Sequence, residues 1–103
     1  MLRVAVLQIK SGADKAANLK RAVSMIEKAK EKGCKLAVLP ECFNSPYGIG
    51  HFAQYAETIP GETTMEMSKA TKANDIWLIA GTIPERQGDK LYNTCTVFDP
   101  KGN

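Results

Sequence analysis

Two short apolar runs, RVAVLQI at residues 3–9 and CKLAVLP at residues 34–40, bracket a lysine-rich segment. Within that segment Leu19, Ala22, Val23, Ile26 and Ala29 recur at helical spacing. Apolar runs without polar alternation suit strands covered on both faces. Strand, helix and strand in that order imply a parallel pair joined by a right-handed crossover. Asp14 is placed to cap the helix and Gly33 to stop it. In such sheets functional residues gather beyond the carboxyl ends of the strands. The residue that reaches this position after the second strand is Glu41, directly behind Pro40.

The rest of the chain extends the α/β pattern. Residues 43–62, FNSPYGIGHFAQYAETIPGE, read as a long Gly/Pro/Asn-punctuated loop with a turn of helix around 52–56. A loop of this length is often functional. Residues 62–74 predict a second helix with Met67, Ala70 and Ala73 on one side. IWLIAGTI, 76–83, predicts a third buried strand, PERQGDK a polar turn, and LYNTCTVF, 91–98, a fourth strand paired antiparallel with the third. DPKGN, 99–103, is a turn with Pro at its second position and Gly at its fourth. Such a turn normally delivers another strand, so the order of elements predicts the first part of a larger domain. An apolar strand left at an open edge would be an aggregation hazard.

Composition narrows the function. At 103 residues and 44% hydrophobic the chain is globular material with a modest core. The net charge of +3 arises mainly from helix lysines interleaved with Glu27 and Glu31. That is a solvated face, not the basic stripe with stacking aromatics that nucleic acid requires. No run approaches the ~20 apolar residues of a membrane span, and the N-terminus lacks a basic leader and a small-residue cleavage site. The expected address is cytoplasmic, with a mitochondrial one as the alternative. Cys34, Cys42 and Cys95 are odd in number and lack C-x-x-C spacing, which suits reduced thiols and neither disulfides nor a metal site. Core roles are expected for Cys34 and Cys95 and packing for Cys42. His51, the lone histidine, is expected at the surface.

Glu41 admits two readings: an exposed residue opening a loop, or a carboxylate held under a Gly/Pro-rich lid, where it would shuttle protons. Cys42 is not its thiol partner, because adjacent side chains of an extended segment point to opposite faces. Tyr47 lines a pocket or, with Phe43, packs the loop down. Asn93 orients Glu41 through its amide or serves the sheet. Gly48 and Gly50 serve the turn.

The stretch LPECFNSPYG, residues 39–48, resembles the first catalytic motif of the carbon–nitrogen hydrolases, the nitrilase superfamily. RVAVLQI, YAETIPGETT, LIAGTIPE and KLYNTCTVFDPKGN match in the same order, so the resemblance covers essentially the whole chain. PECFNSPYG, IPGE and LYNTC look most like the omega-amidase branch. The resemblance implies an α/β fold, the N-terminal part of a four-layer α-β-β-α sandwich. It implies a Glu-Lys-Cys triad in which Glu41 is the general base, a thioester intermediate, and no cofactor or metal. It implies a small-molecule amide substrate, the terminal amide of 2-oxo acids such as 2-oxoglutaramate and 2-oxosuccinamate, and a homo-oligomer of the complete protein. The family's lysine and cysteine motifs lie downstream of the matched region, and no lysine or cysteine in residues 1–103 matches either. Residues 1–103 are therefore expected to be an incomplete domain, inactive alone. The alternatives are another branch of the family, acting on deaminated glutathione or a carbamoyl amide, or a non-catalytic short product that binds full-length subunits.

Overall fold

The computed structural model covers Met1 to Asn103. Its elements are β1 (Val4–Val6), α1 (Lys15–Glu31), β2 (Leu36–Val38), a 3-10 turn (Ile49–His51), α2 (Phe52–Tyr55), α3 (Glu62–Asn74), β3 (Trp77–Gln87) and β4 (Lys90–Phe98). One sheet runs in the order β1-β2-β3-β4. The first three strands are parallel and the last is antiparallel to β3. Each parallel step needs a crossover, and α1 and α3 supply them, packed against one another.

Local chemistry sets the helix bounds. The Asp14 carboxylate accepts from Ala17 N–H at 3.2 Å, satisfying a free donor of the first turn of α1. Leu19, Ala22, Ile26 and Ala29 are buried on one face. Asn18 is buried with them because both ends of its amide are bonded: it accepts from Gly12 N–H and donates to Gly12 C=O, both at 2.9 Å. Gly33, at φ +79°, ends the helix in the left-handed region. On α3, Met67 and Ala70 are buried as expected, but Ala73 is exposed. Thr63, Thr64 and Thr71 occupy the inner face instead, Thr71 returning its hydroxyl to Met67 C=O at 2.6 Å.

Strand register sorts the sheet into two faces. Ala5, Ala37, Leu78 and Phe98 pair across all four strands and point to the helices. They join Leu19, Ile26, Met67, Ile76 and Ile83 in the single core. The next row, Val6, Val38, Ile79 and Val97, points the other way; Val6 is 77% and Val97 57% exposed. Val4 and Trp77 are exposed on the same face. Within residues 1–103 helices cover only one face of the sheet; the other face, expected to be covered as well, is bare here. Cys34 is buried as expected, but Cys95 is exposed rather than a core residue.

The hairpin is longer than the sequence predicts. Pro84 to Gln87 continue β3, and the turn is reduced to Gly88–Asp89. Pro84 is tolerated because its carbonyl faces Glu57 N–H, at 3.1 Å and away from β4, so its missing N–H takes no donor from the β3–β4 ladder. Between the pairs Ile79–Val97 and Thr82–Cys95, β3 carries one residue more than β4. This bulge is built on Gly81, at φ +55°. A Cβ there would collide with the carbonyl oxygens of Leu39 and Pro40, so only glycine lets β3 approach the end of β2 this closely.

Among the anchors of the long loop, one carboxylate gathers the most partners. Glu57 pairs with Lys15 Nζ at 3.1 Å, its side chain only 8% exposed. It accepts from Thr63 N–H at 2.8 Å at the start of α3, from the Thr63 hydroxyl, and from Asn44 Nδ2 at 3.1 Å. Its backbone joins β3 through Pro84 and through Arg86 N–H at 2.8 Å. Burial pushes the Glu57 carboxyl up, but the Thr63 hydrogen bonds and Lys15 outweigh it and leave the group below its ordinary value. A carboxylate lowered on folding contributes stability above the unfolded-state value of about 4.3 and loses it as pH falls through the lower folded value. Glu57→Gln is expected to cost about 1–3 kcal/mol at neutral pH and to flatten this acid limb. Urea unfolding at pH 7 and at stepped acid pH measures both, and an unchanged acid limb would count against the role.

Candidate active site

Glu41 lies beyond the carboxyl end of β2, at the position the β-α-β pattern predicts. The chain on either side of it is fixed. Before it, Pro40 C=O accepts from Thr82 N–H at 3.4 Å. After it, Cys42 N–H donates to Thr82 Oγ1 at 3.0 Å. Cys42 takes φ +51°, a left-handed conformation rare for a side-chain-bearing residue. It turns the chain sharply, so that Cys42, Phe43, Asn44 and Ser45 are buried while Glu41 is exposed. Of the two arrangements open for Glu41, residues 1–103 by themselves leave it exposed. Ser11 Oγ donates to Phe43 C=O, and Asn44 donates to Glu57 and, at 3.0 Å, to Thr63 Oγ1.

The carboxylate itself has one partner. Asn93 Nδ2, from β4, donates to Glu41 Oε1 at 2.8 Å. Of the two readings of Asn93, orientation of Glu41 is the one with the observed bond. Around Glu41 lies an open recess of about 440 Å³ lined by Cys42, Tyr47, Gly48, Ile49, Phe52 and Leu91. Tyr47 and Phe43 part company. Phe43 is fully buried and packs the loop down, whereas Tyr47 is 75% exposed on the recess wall.

The Cys42 thiol, next to Glu41 in the chain, is not set up as a nucleophile. Burial pushes the Cys42 thiol above its ordinary value, and the nearby Glu41 charge adds to this, while a Thr82 hydrogen bond opposes it. Cys34 is buried and Cys95 lies on β4. His51 is exposed, as expected, its ring edge-on to Tyr55 at 6.1 Å. No three His, Cys, Asp or Glu side chains cluster in a way that could hold a metal ion, and no helix is long and apolar enough to cross a membrane.

Sequence reasoning missed Thr82, Asn44 and Glu57. For Thr82 a signal was present: an isolated glycine inside an apolar strand marks a bulge or a close backbone approach. Asn44 and Glu57 left no comparable mark, since their partners are far apart in the chain.

The carbon-nitrogen hydrolase family matches residues 3–103. The chain belongs to this family. It is 53% identical over 100 residues to omega-amidase NIT2 of Danio rerio and 50% identical over 100 residues to omega-amidase NIT2 of Homo sapiens. Each alignment covers 97% of this chain and 36% of the relative, so the chain spans about a third of their length. The crystal structure of Saccharomyces cerevisiae Nit3, a member of branch 10 of the nitrilase superfamily, superposes with a TM-score of 0.92 at 40% identity. That match covers 99% of this chain and 41% of the yeast chain. The fold is the N-terminal part of the nitrilase-type sandwich: one helix layer and the sheet beneath it.

The Asn93 bond is expected to fix the Glu41 rotamer while adding little stability, since both groups are exposed. Asn93→Ala should lower stability by less than about 1 kcal/mol yet leave Glu41 spread over more than one rotamer. A high-resolution crystal structure of that variant, with thermal unfolding alongside, checks both; an unmoved Glu41 would rule the role out.

Proposed function

We propose that residues 1–103 are the N-terminal portion of a carbon–nitrogen hydrolase domain whose complete form is an omega-amidase-type enzyme. In this reading Glu41 is the general base of a Glu-Lys-Cys triad whose other two members lie outside these residues. It takes the proton of the cysteine thiol as sulfur attacks the amide carbon, and passes a proton to the departing ammonia. It then takes a proton from water as that water attacks the thioester carbon, and returns it to the departing cysteine sulfur as the free acid is released. The lysine charge stabilises the tetrahedral oxyanion. The substrate is the terminal amide of a 2-oxo acid, 2-oxoglutaramate or 2-oxosuccinamate, with Tyr47 contributing a wall of its pocket. The complete protein is a homo-oligomer and needs no metal or cofactor.

The observation that carries this reading is Glu41 itself: a carboxylate at the carboxyl end of a parallel strand, clamped on both sides and oriented by Asn93, at the edge of an open recess. The omega-amidase relatives support the substrate class. Residues 1–103 alone are expected to be inactive, because triad members act as a unit.

Ammonia release from 2-oxoglutaramate by the complete polypeptide and by residues 1–103 tests this directly. The complete form should turn over, Glu41→Gln should lower its kcat by at least about 10²- to 10⁴-fold, and the isolated chain should give no turnover. Turnover by sequence-verified residues 1–103, or a Glu41→Gln variant within a few fold of the parent, overturns the reading. Preference for deaminated glutathione or a carbamoyl amide would move the protein to another branch. A second reading, a short product that associates with full-length subunits, would use the uncovered face bearing Val4, Val6, Trp77 and Val97 as its contact surface; co-purification of the two forms is its test.

A further inference from the structure

We infer that Thr82, on the Gly81 bulge of β3, is a positioning residue for Glu41, an inference that rests on the function proposed above. Thr82 touches both peptide groups that flank the base. Its N–H reaches Pro40 C=O at 3.4 Å and its Oγ1 accepts from Cys42 N–H at 3.0 Å. Glu41 is therefore suspended between two points of one residue. The side-chain bond is the shorter of the two, and it meets the peptide group at which the chain turns left-handed.

The bulge is what brings Thr82 to this position. Without the extra residue between Ile79 and Thr82, the strand would keep its pairing phase, and every residue beyond would present the opposite face. Gly81 allows the close approach. Asn93, from β4 of the same hairpin, then fixes the carboxylate. One hairpin thus sets both the backbone and the side chain of the base. Loss of the Thr82 hydroxyl leaves Cys42 N–H without this acceptor and frees the peptide beside Glu41. A shift of about 1 Å at a catalytic group is enough to cost about 10²-fold in rate.

The test uses the complete polypeptide. Thr82→Val keeps the β-branched shape but removes the acceptor; Thr82→Ser keeps the oxygen. Thr82→Val is expected to lower kcat about 10- to 100-fold with KM within about 3-fold, and Thr82→Ser to stay within about 3-fold of the parent. Rates are measured well below the unfolding temperature and normalised to folded protein. A merely structural residue would lower the melting temperature without changing kcat per folded molecule. Parental kcat in folded Thr82→Val overturns the inference, as does a Thr82→Ser variant as impaired as Thr82→Val. Should Thr82→Val not fold, Thr82→Ala takes its place, and failure of both to fold assigns Thr82 to stability and overturns the inference. Glu41→Gln in the same assay separates the two claims. If it stays active, the proposed function falls; if it is inactive while Thr82→Val is unimpaired, only the role of Thr82 falls.

Discussion

A largely buried carboxylate, Glu57, is the hub that ties a long irregular segment to its path over the sheet. It binds α1 through Lys15, the start of α3 through Thr63, the loop after β2 through Asn44, and β3 through its own backbone. Burying a charge is costly unless its hydrogen-bonding capacity is used and an opposite charge is near. Both conditions hold here. Thr63 N–H also belongs to the N-terminal turn of α3, where the helix dipole favours a negative charge. Asn44 Oδ1 is buried with no protein partner, so the network is complete around Glu57 but not around the residue that links it to the loop.

The fixing of Glu41 draws on a different set of contacts. Glu57 holds the loop from Asn44 outward, while the β3–β4 hairpin holds the two peptides beside Glu41 and its carboxylate. The division follows from geometry. A residue just past the end of β2 has only β3 as a pairing neighbour on that side, and β3 can reach it only where glycine permits close approach. Three residues later the chain is among the helices, and anchorage falls to their N-terminal ends.

The β-α-β order, the helix bounds and the position of Glu41 were legible in the sequence because each depends on local pattern: spacing, caps and the direction of a parallel strand. What was not legible depended on partners distant in the chain. Apolar runs alone do not say which layer covers a face, so the bareness of Val4, Val6 and Cys95 among residues 1–103 was not legible. Pro84 and the charged residues after it read as a turn, yet cross-strand pairing from Pro84–Asn93 to Gln87–Lys90 overrides their local preference. Glu57 looked like any loop carboxylate, because Lys15, Asn44, Thr63 and Pro84 meet it only in the folded chain. Tyr47 and Phe43 lie four residues apart in one motif, yet Phe43 falls in the buried stretch Cys42–Ser45 and Tyr47 lies beyond it on the recess wall.

The two faces of the sheet serve different ends. The row Ala5, Ala37, Leu78 and Phe98 closes the core against α1 and α3 and stabilises the helix–sheet unit, at about 1.5–3 kcal/mol for each large side chain fully buried. The row Val6, Val38, Ile79 and Val97 contributes little to that unit, since Val6 and Val97 remain mostly in water. Their apolar character is therefore not explained by the packing among residues 1–103. It is explained by the sandwich to which this sheet belongs, in which a second sheet lies against that face. Glu41 sits at the end of β2, between these two faces, so its environment depends on what covers the outer one as well as on the hairpin that clamps it. The exposure of Glu41 and the exposure of Val6 and Val97 thus have one physical origin: both belong to surfaces that the helix layer does not reach.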